Sequence, residues 1–314
     1  VCKDKEKSCF FAKKNPEIMK RAPYFISVAA LLLCFSLALA SCAGDKKGKS
    51  APAPQAAVDA DTIPVDADQY VRIETSEGDI TLRLFRDTPR HRHNFVKLAQ
   101  RGYYDGQTFY RIISGSLIQA GDPASKTATM ETKLGTGDVD YTLKPELMPE
   151  KYYHRRGALA MASYKPMQES SGGQFYIVTG YRHQDVRLNN DEIRINKKRR
   201  ELVFDSITKQ PSYQAKLKEM KQKDNKRGIY YVKEEIKEKT DSVMALRKPF
   251  AYSKEQRQVY KTVGGEASLD GFYTVFGEVI EGDEVLTKIE KRAVNADKRP
   301  FEDVRIKHIV VLDK

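Results

Sequence analysis

No tryptophan occurs in the 314 residues, and the four cysteines, Cys2, Cys9, Cys34 and Cys42, all fall within the first 42. From residue 43 onward the chain can form no disulfide with itself and holds no paired-cysteine zinc site, so it must fold on an apolar core. Histidine is scarce, five in all. His91 and His93 lie two apart on a predicted helix, where side chains share no face, and no metal site is expected. Ser171-Gly172-Gly173 lacks the lysine and helix context of a phosphate cradle, and no carboxylate–histidine–serine arrangement stands out. The residues imply neither a cofactor nor a nucleophile.

The charge is positive but unevenly placed. The formal excess is +12, and residues 1–41 carry seven basic and three acidic groups while 183–266 carry 21 and 13, which leaves the rest balanced. With 40% hydrophobic and 31% charged residues and a mean hydropathy of -0.60, the totals fit a globular domain with a highly charged appendage. The basic clusters are read as solvated helix faces in preference to a surface for anionic headgroups or acidic clients. No nucleic acid is expected, because an export signal is present and aromatics do not interleave with the basic residues.

That signal is the one long apolar run, Phe25 to Ala40, preceded by Met19-Lys20-Arg21. A basic start followed by about 16 apolar residues is short for a spanning helix and reads as a secretory signal. The run ends Leu39-Ala40-Ser41-Cys42, which resembles a bacterial lipobox. Residues 1–42 are therefore expected to be leader and signal, with Cys42 lipidated and the protein held in the cell envelope on the periplasmic side of the outer or inner membrane. Translation could start at Val1 or Met19. Residues 43–68, with Ala51-Pro52-Ala53-Pro54, read as a semi-extended linker.

A domain follows over 69–314. Val71, Ile73 and Thr75, then Ile80, Leu82 and Leu84, alternate around a Glu77-Gly78 turn and predict a hairpin. Thr88-Pro89 opens a helix with Phe95, Leu98 and Ala99 inward, ended by Gly102. Further strands are expected over 109–120, 157–163, 174–179, 273–279 and 304–312, with a second helix burying Val285, Leu286 and Ile289. Residues 183–266 interrupt this pattern and read as helical, with Tyr213, Leu217 and Met220 on one stripe and Ile229, Val232, Ile236, Val243 and Leu246 on another. Ser253 and Gln256 form a capping-box signal. Many short strands, two helices and no βαβ alternation argue for a closed antiparallel barrel with an inserted helical subdomain beside its groove.

The chemistry centres on Phe109 to Pro123, F-Y-R-I-I-S-G-S-L-I-Q-A-G-D-P. Arg111 sits alone among apolar runs. A guanidinium keeps its charge and offers only donors, so it needs a partner carboxylate or a function. If the two halves pair, Arg111 and Gln119 share a sheet face.

This segment resembles the signature of cyclophilin-type peptidyl-prolyl isomerases, and three further blocks follow in that family's order: Gly157 to Ser163 (G-A-L-A-M-A-S), Gly172 to Val178 (G-G-Q-F-Y-I-V) and Leu269 to Val279 (L-D-G-F-Y-T-V-F-G-E-V). The similarity covers 69–182 and 267–314. It implies a mainly β fold, a closed eight-stranded barrel with a helix plugging each end, and isomerisation of X-Pro bonds without cofactor or metal. It also implies roles: Arg111 catalytic, Gln119 orienting it, Leu117, Tyr176 and Leu269 lining the proline pocket, Tyr273 closing its rim, and Ala162 and Gln174 bordering the next peptide subsite.

Three positions depart from the pattern. Ser116 stands where the family generally has phenylalanine, Ser163 where it has an asparagine or other polar residue whose backbone binds peptide, and Ser268 where tryptophan is frequent. Turnover of short peptides is expected to be weak, and so is affinity for cyclosporin-like ligands. The leading expectation is a monomeric isomerase acting on unfolded or extended proline-containing polypeptides and tethered to the membrane through Cys42. The competing one is a cyclophilin-like module that binds such segments with little turnover, its insert supplying partner specificity.

Overall fold

The computed structural model describes residues 67–313. The expected signal segment, Cys42 and nearly all of the 43–68 linker lie outside the described residues. Among these residues the chain runs β1 (Gln69–Thr75), β2 (Gly78–Leu84), α1 (Pro89–Gln100), β3 (Arg111–Ile113), β4 (Leu117–Ala120), β5 (Thr142–Leu143), β6 (Ala158–Met161), β7 (Ser170–Ser171) and β8 (Phe175–Val178). It continues with α2 (Asp185–Thr208), α3 (Pro211–Gln222), α4 (Lys226–Ala245), α5 (Lys254–Thr262), β9 (Val275–Glu281), α6 (Asp283–Glu290) and β10 (Ile306–Leu312).

The alternating β1–β2 pair forms because one face can be buried whole: Val71 opposes Leu82 and Ile73 opposes Ile80, all four fully buried. Its turn needs a glycine. Gly78 has φ +131, and a Cβ there would lie 2.8 Å from Val285 Cγ2 of α6.

Eight strands join in the order β10-β1-β2-β9-β6-β8-β4-β3, and β5 pairs with β7 apart from them. The expected closed barrel is not what forms. The sheet is an open, strongly curled half-barrel whose edges, β10 and β3, share no ladder. The segments that face each other across the gap are mostly irregular, so the seam is reduced to a few backbone bonds and one isolated bridge, Thr108 with Arg305: Gly106 N to Ile306 O at 2.9 Å, Ile306 N to Gln107 O at 2.8 Å, Phe109 N to Val304 O at 2.9 Å and Ile112 N to Lys298 O at 2.8 Å.

Curling turns one sheet face onto itself, and the two predicted helices fill that hollow. Phe95, Val96, Leu98 and Ala99 of α1 and Val285, Leu286 and Ile289 of α6 join the strand residues in one apolar core. Phe95 is its hub, with ring contacts to Tyr104 at 5.1 Å, Phe175 at 5.2 Å and Phe276 at 5.5 Å. Each such side chain stabilises the fold by about 1.5–3 kcal/mol. Pro89 opens α1 as expected, but Thr88 gives it no side-chain cap; its hydroxyl donates instead to Phe85 O at 3.2 Å. The α1 N-terminus is met by Glu146, which accepts from Arg90 N, His91 N and His91 Nδ1 at 3.2, 3.1 and 2.6 Å. Burial pushes the Glu146 carboxyl up, and these donors outweigh it and hold it below its ordinary value.

Between β8 and β9 lie α2 to α5. Val203, Ile207, Tyr213, Leu217 and Ile236 pack α2, α3 and α4 together. A second cluster, Leu188, Ile195, Phe250, Tyr252, Tyr260 and Ala267, joins α2 and α5 to the turn that leads into β9. Ser253 and Gln256 form the capping box at the start of α5. Leu246 departs from the predicted stripe: α4 ends at Ala245, and Leu246, beyond the last helical turn, is 90% exposed.

Candidate active site

The strands that carry the sequence blocks bury both faces. Ile118, Ala120, Leu159, Met161, Phe175 and Ile177 point into the main core. Their alternates, Leu117, Ala158, Ala160, Tyr176 and Val178, form a second apolar cluster on the outer face with Val275 and Phe85. Partly buried Ile113, Ala162, Leu269 and Tyr273 pack against it. A two-residue period on paired strands thus places Leu117, Tyr176, Leu269, Tyr273 and Ala162 in one patch on the outside of the half-barrel.

Arg111 opens β3 directly opposite Gln119 on β4, and Gln119 lies opposite Tyr176 on β8. The Arg111 side chain is exposed, and its Nη1 donates to Gln119 Oε1 at 3.0 Å. No carboxylate pairs with Arg111 among the described residues. Gln119 is fixed in turn. Its Nε2 donates to Tyr110 Oη at 2.6 Å and to Gln174 Oε1 at 3.1 Å, while the Tyr110 hydroxyl donates to Gln174 Oε1 at 2.6 Å. Gln174 Nε2 closes the chain on Gly137 O at 2.6 Å and Tyr164 Oη at 2.8 Å. Burial pushes the Tyr110 hydroxyl far above its ordinary range, so it remains a neutral donor. The network is made of neutral amides and phenols, and its single charge stands at the exposed end. Gln174, expected to border a peptide subsite, therefore also fixes Gln119.

A second network ends on the other side of the patch. Tyr176 Oη lies 2.9 Å from His154 Nε2, and His154 Nδ1 lies 2.7 Å from Asp270 Oδ1. Because a carboxylate only accepts, Nδ1 carries a proton and donates to Asp270, and Nε2 is left for a hydrogen bond with the Tyr176 hydroxyl. Asp270 also accepts from His154 N at 2.7 Å, Tyr252 Oη at 2.9 Å and Tyr260 Oη at 2.5 Å. All five residues are buried. Tyr273 sits at the rim, its ring edge-on to Tyr176 at 5.9 Å. The inserted segment thus joins this network through the hydroxyls of Tyr252 and Tyr260, both on Asp270.

A cavity of about 590 Å³ opens beside Arg111 and is bounded by Tyr110, Gln119, Leu134, Gly135 and Arg299. Its lining does not include Leu117, Tyr176, Leu269 or Tyr273. Arg111 borders both regions: it lines the cavity, and its charge offsets part of the rise that burial imposes on the Tyr273 hydroxyl.

The three serines fall into place separately. Ser116 ends the β3–β4 turn, where its carbonyl accepts from Thr179 N and Gly180 N at 2.9 and 3.1 Å. Ser163 accepts from Lys165 N at 3.0 Å and donates to Glu169 O, and its own N–H and carbonyl have no backbone partner among the described residues. Ala162, by contrast, has both backbone groups tied into the strands, to Gln174 O and Ser171 N. Ser268 donates to Glu266 Oε1 at 2.5 Å. Sequence reasoning missed Tyr110, Tyr164, His154, Asp270, Tyr252 and Tyr260. Asp270 and Tyr110 lay inside the quoted blocks and were visible as polar groups among apolar neighbours; the others carried no local signal. No group of three or more potential metal ligands occurs among the described residues.

The family model described as Cyclophilin type peptidyl-prolyl cis-trans isomerase/CLD matches residues 70–204 and 202–311. A Staphylococcus haemolyticus protein provisionally named a peptidyl-prolyl cis-trans isomerase is 28% identical over 251 residues, 79% of this chain and 94% of that protein. A Helicobacter pylori peptidyl-prolyl cis-trans isomerase is 36% identical over 109 residues, 34% of this chain and 61% of its own length. Among solved structures, a Cryptosporidium parvum cyclophilin type peptidyl-prolyl cis-trans isomerase superposes with TM-score 0.47 at 23% identity, covering 79% of this chain and 99% of the other.

Proposed function

Because the chain belongs to the cyclophilin-type peptidyl-prolyl cis-trans isomerase family, we propose that Arg111 is the catalytic residue through which it accelerates rotation about X-Pro bonds. The barrier to that rotation is about 18–20 kcal/mol, because the twisted amide loses resonance. As it twists, the prolyl nitrogen becomes pyramidal and basic. A fixed guanidinium donates to that nitrogen only near the transition state, which is the differential binding catalysis requires. No nucleophile, metal or proton transfer enters.

One observation carries the assignment: Arg111 is exposed and held by an amide oxygen, Gln119 Oε1 at 3.0 Å, rather than by an acid. A carboxylate would spend the charge within the protein; a neutral acceptor orients the fork and leaves the charge for the substrate. Acceleration of a thousand- to millionfold needs about 4–8 kcal/mol, whereas one charge-assisted hydrogen bond supplies roughly 1.5–3. The rest is assigned to the apolar patch of Leu117, Tyr176, Leu269 and Tyr273, which seats the proline ring, and to the free Ser163 backbone, which pairs with the neighbouring peptide. A refolding assay limited by proline isomerisation tests this: Arg111→Ala lowers the acceleration roughly 10- to 150-fold. Unchanged acceleration would end the assignment.

The substrates in this reading are extended, proline-containing segments of envelope proteins, met by a monomer tethered to the membrane. The tether rests on Met19-Lys20-Arg21, the Phe25–Ala40 run and Leu39-Ala40-Ser41-Cys42. Two or more acyl chains give stable anchoring where one is marginal. Radiolabelled palmitate enters the wild-type protein and not Cys42→Ala; equal labelling of both removes the anchor.

A further inference from the structure

Residue 268 is a serine, and its surroundings are completed from the inserted helices. Arg194 of α2 lays its guanidinium over the Phe272 ring, 4.4 Å from the centroid. Its Nη2 donates to Ser268 O and lies 3.3 Å from Asp191 Oδ1. Nε and Nη1 have no partner among the described residues, and the side chain is 44% exposed. Ser268 and Phe272 flank Leu269 and adjoin Tyr273, two of the residues assigned to the proline pocket. Tyr273 also registers the cation: burial pushes its hydroxyl up, and Arg111 and Arg194 both pull it back.

We propose that Arg194 is a specificity-determining residue, which leads the isomerase to favour X-Pro segments with a carboxylate side chain beside the proline. The proposal rests on the isomerase reading above and assigns the inserted helices a part in substrate choice. A planar guanidinium with open donors pairs with carboxylates in a way that neither an amide nor a cation can match. The charges already nearby leave it available. Asp191 is shared, with Arg187 Nε at 3.5 Å on its other oxygen, and it engages only Nη2 of Arg194. Glu266 is engaged by Ser268 Oγ and lies 3.7 Å from Arg187. At a solvent-exposed rim such a pair is worth a modest preference, roughly two- to fivefold.

The test uses the full-length protein and two series of short peptides, one with Glu, Gln or Lys immediately before the proline and one with these residues immediately after it. Exchange NMR gives kcat/KM, and titration of the same peptides gives Kd. In at least one series Glu is favoured over Gln roughly two- to fivefold at low salt, Lys is disfavoured, and the ratios approach one at 0.5 M salt. Arg194→Gln brings the Glu/Gln ratio to one while turnover of the Gln peptide is retained, and Arg194→Lys keeps part of the preference. Asp191→Asn raises it. A wild-type ratio of one in both series, or a ratio that survives Arg194→Gln with an unchanged thermal midpoint, overturns the proposal. Failure to turn over the Gln peptide would instead overturn the isomerase reading; the Kd ratios would still decide whether Arg194 selects carboxylates.

Discussion

Two hydrogen-bond networks end on the same apolar patch and are built on opposite principles. The Arg111 network places its charge in solvent and backs it with neutral groups, Gln119, Tyr110 and Gln174. The Tyr176 network buries its charge, Asp270, and surrounds it with donors from three segments. On the proposed reading Arg111 serves the substrate, and uncharged support leaves its charge unspent within the protein. An anion intended to hold segments together gains from every donor it collects, because an unpaired buried carboxylate costs several kcal/mol. The networks differ because one presents a group and the other fastens a frame.

The sharpest way to break this contrast is to remove each network's central acceptor. Asp270→Ala leaves the His154 ring and the Tyr260 hydroxyl without their acceptor in a site closed to water, while the Tyr252 hydroxyl keeps Ala267 O at 3.1 Å. Loss of a buried charged partner costs about 3–5 kcal/mol, measured as the drop in unfolding free energy in urea. Gln119→Ala removes a neutral group, and its expected stability cost is only about 1–3 kcal/mol while the isomerase rate falls with it. If the two variants lost equal stability, the division between frame and presentation would not hold.

How much of this was legible in the sequence follows from how local each signal is. The β1–β2 hairpin, the Pro89 helix and the 253–256 capping box are written in neighbouring residues, and they form as read. The pairing of Arg111 with Gln119 was legible because two short strands and a turn leave little choice of register. The Asp270 network was not: His154 and Asp270 are 116 residues apart, Tyr260 lies in α5, where a tyrosine looks like any other helix residue, and Tyr252 lies in the irregular stretch before it. Closure of the barrel failed for a related reason. The resemblance implied eight strands, and eight occur in the main sheet, but whether the edges β3 and β10 meet depends on the irregular seam segments, which have no period to read.

A smaller change isolates the contribution of the inserted segment. Tyr252→Phe with Tyr260→Phe keeps both rings in the packing and removes two of the four donors to Asp270. Each hydroxyl is worth about 0.5–1.5 kcal/mol, so the double variant loses roughly 1–3 in urea unfolding. Its behaviour in alkali adds a sign. Burial raises the hydroxyls of Tyr252, Tyr260 and Tyr176 well above the ordinary value of 10. A phenol whose folded pKa is raised contributes stability that is fully present below pH 10 and is lost as pH rises above it, because the unfolded chain then releases the proton more readily. Wild type therefore unfolds in alkali, followed by tyrosinate absorbance, with a steeper dependence than the double variant, which has two fewer buried hydroxyls to ionise. Equal slopes would place these tyrosines in contact with water.

The smallest effect should come from the outer end of the Arg111 network. Tyr164 is 57% exposed, yet its hydroxyl accepts from Gln174 Nε2 at 2.8 Å and donates to Gly135 O at 2.8 Å. Water can replace an exposed hydroxyl, so Tyr164→Phe costs less than about 1 kcal/mol in unfolding. Gln174 keeps Gly137 O as an acceptor and Tyr110 as a donor, so its amide stays oriented and Gln119 stays fixed. The isomerase rate in the refolding assay is therefore expected to remain within about twofold of wild type. A tenfold loss would mean that the orientation of Arg111 is set from the solvent end inward, not from the buried amide pair of Gln119 and Gln174 outward.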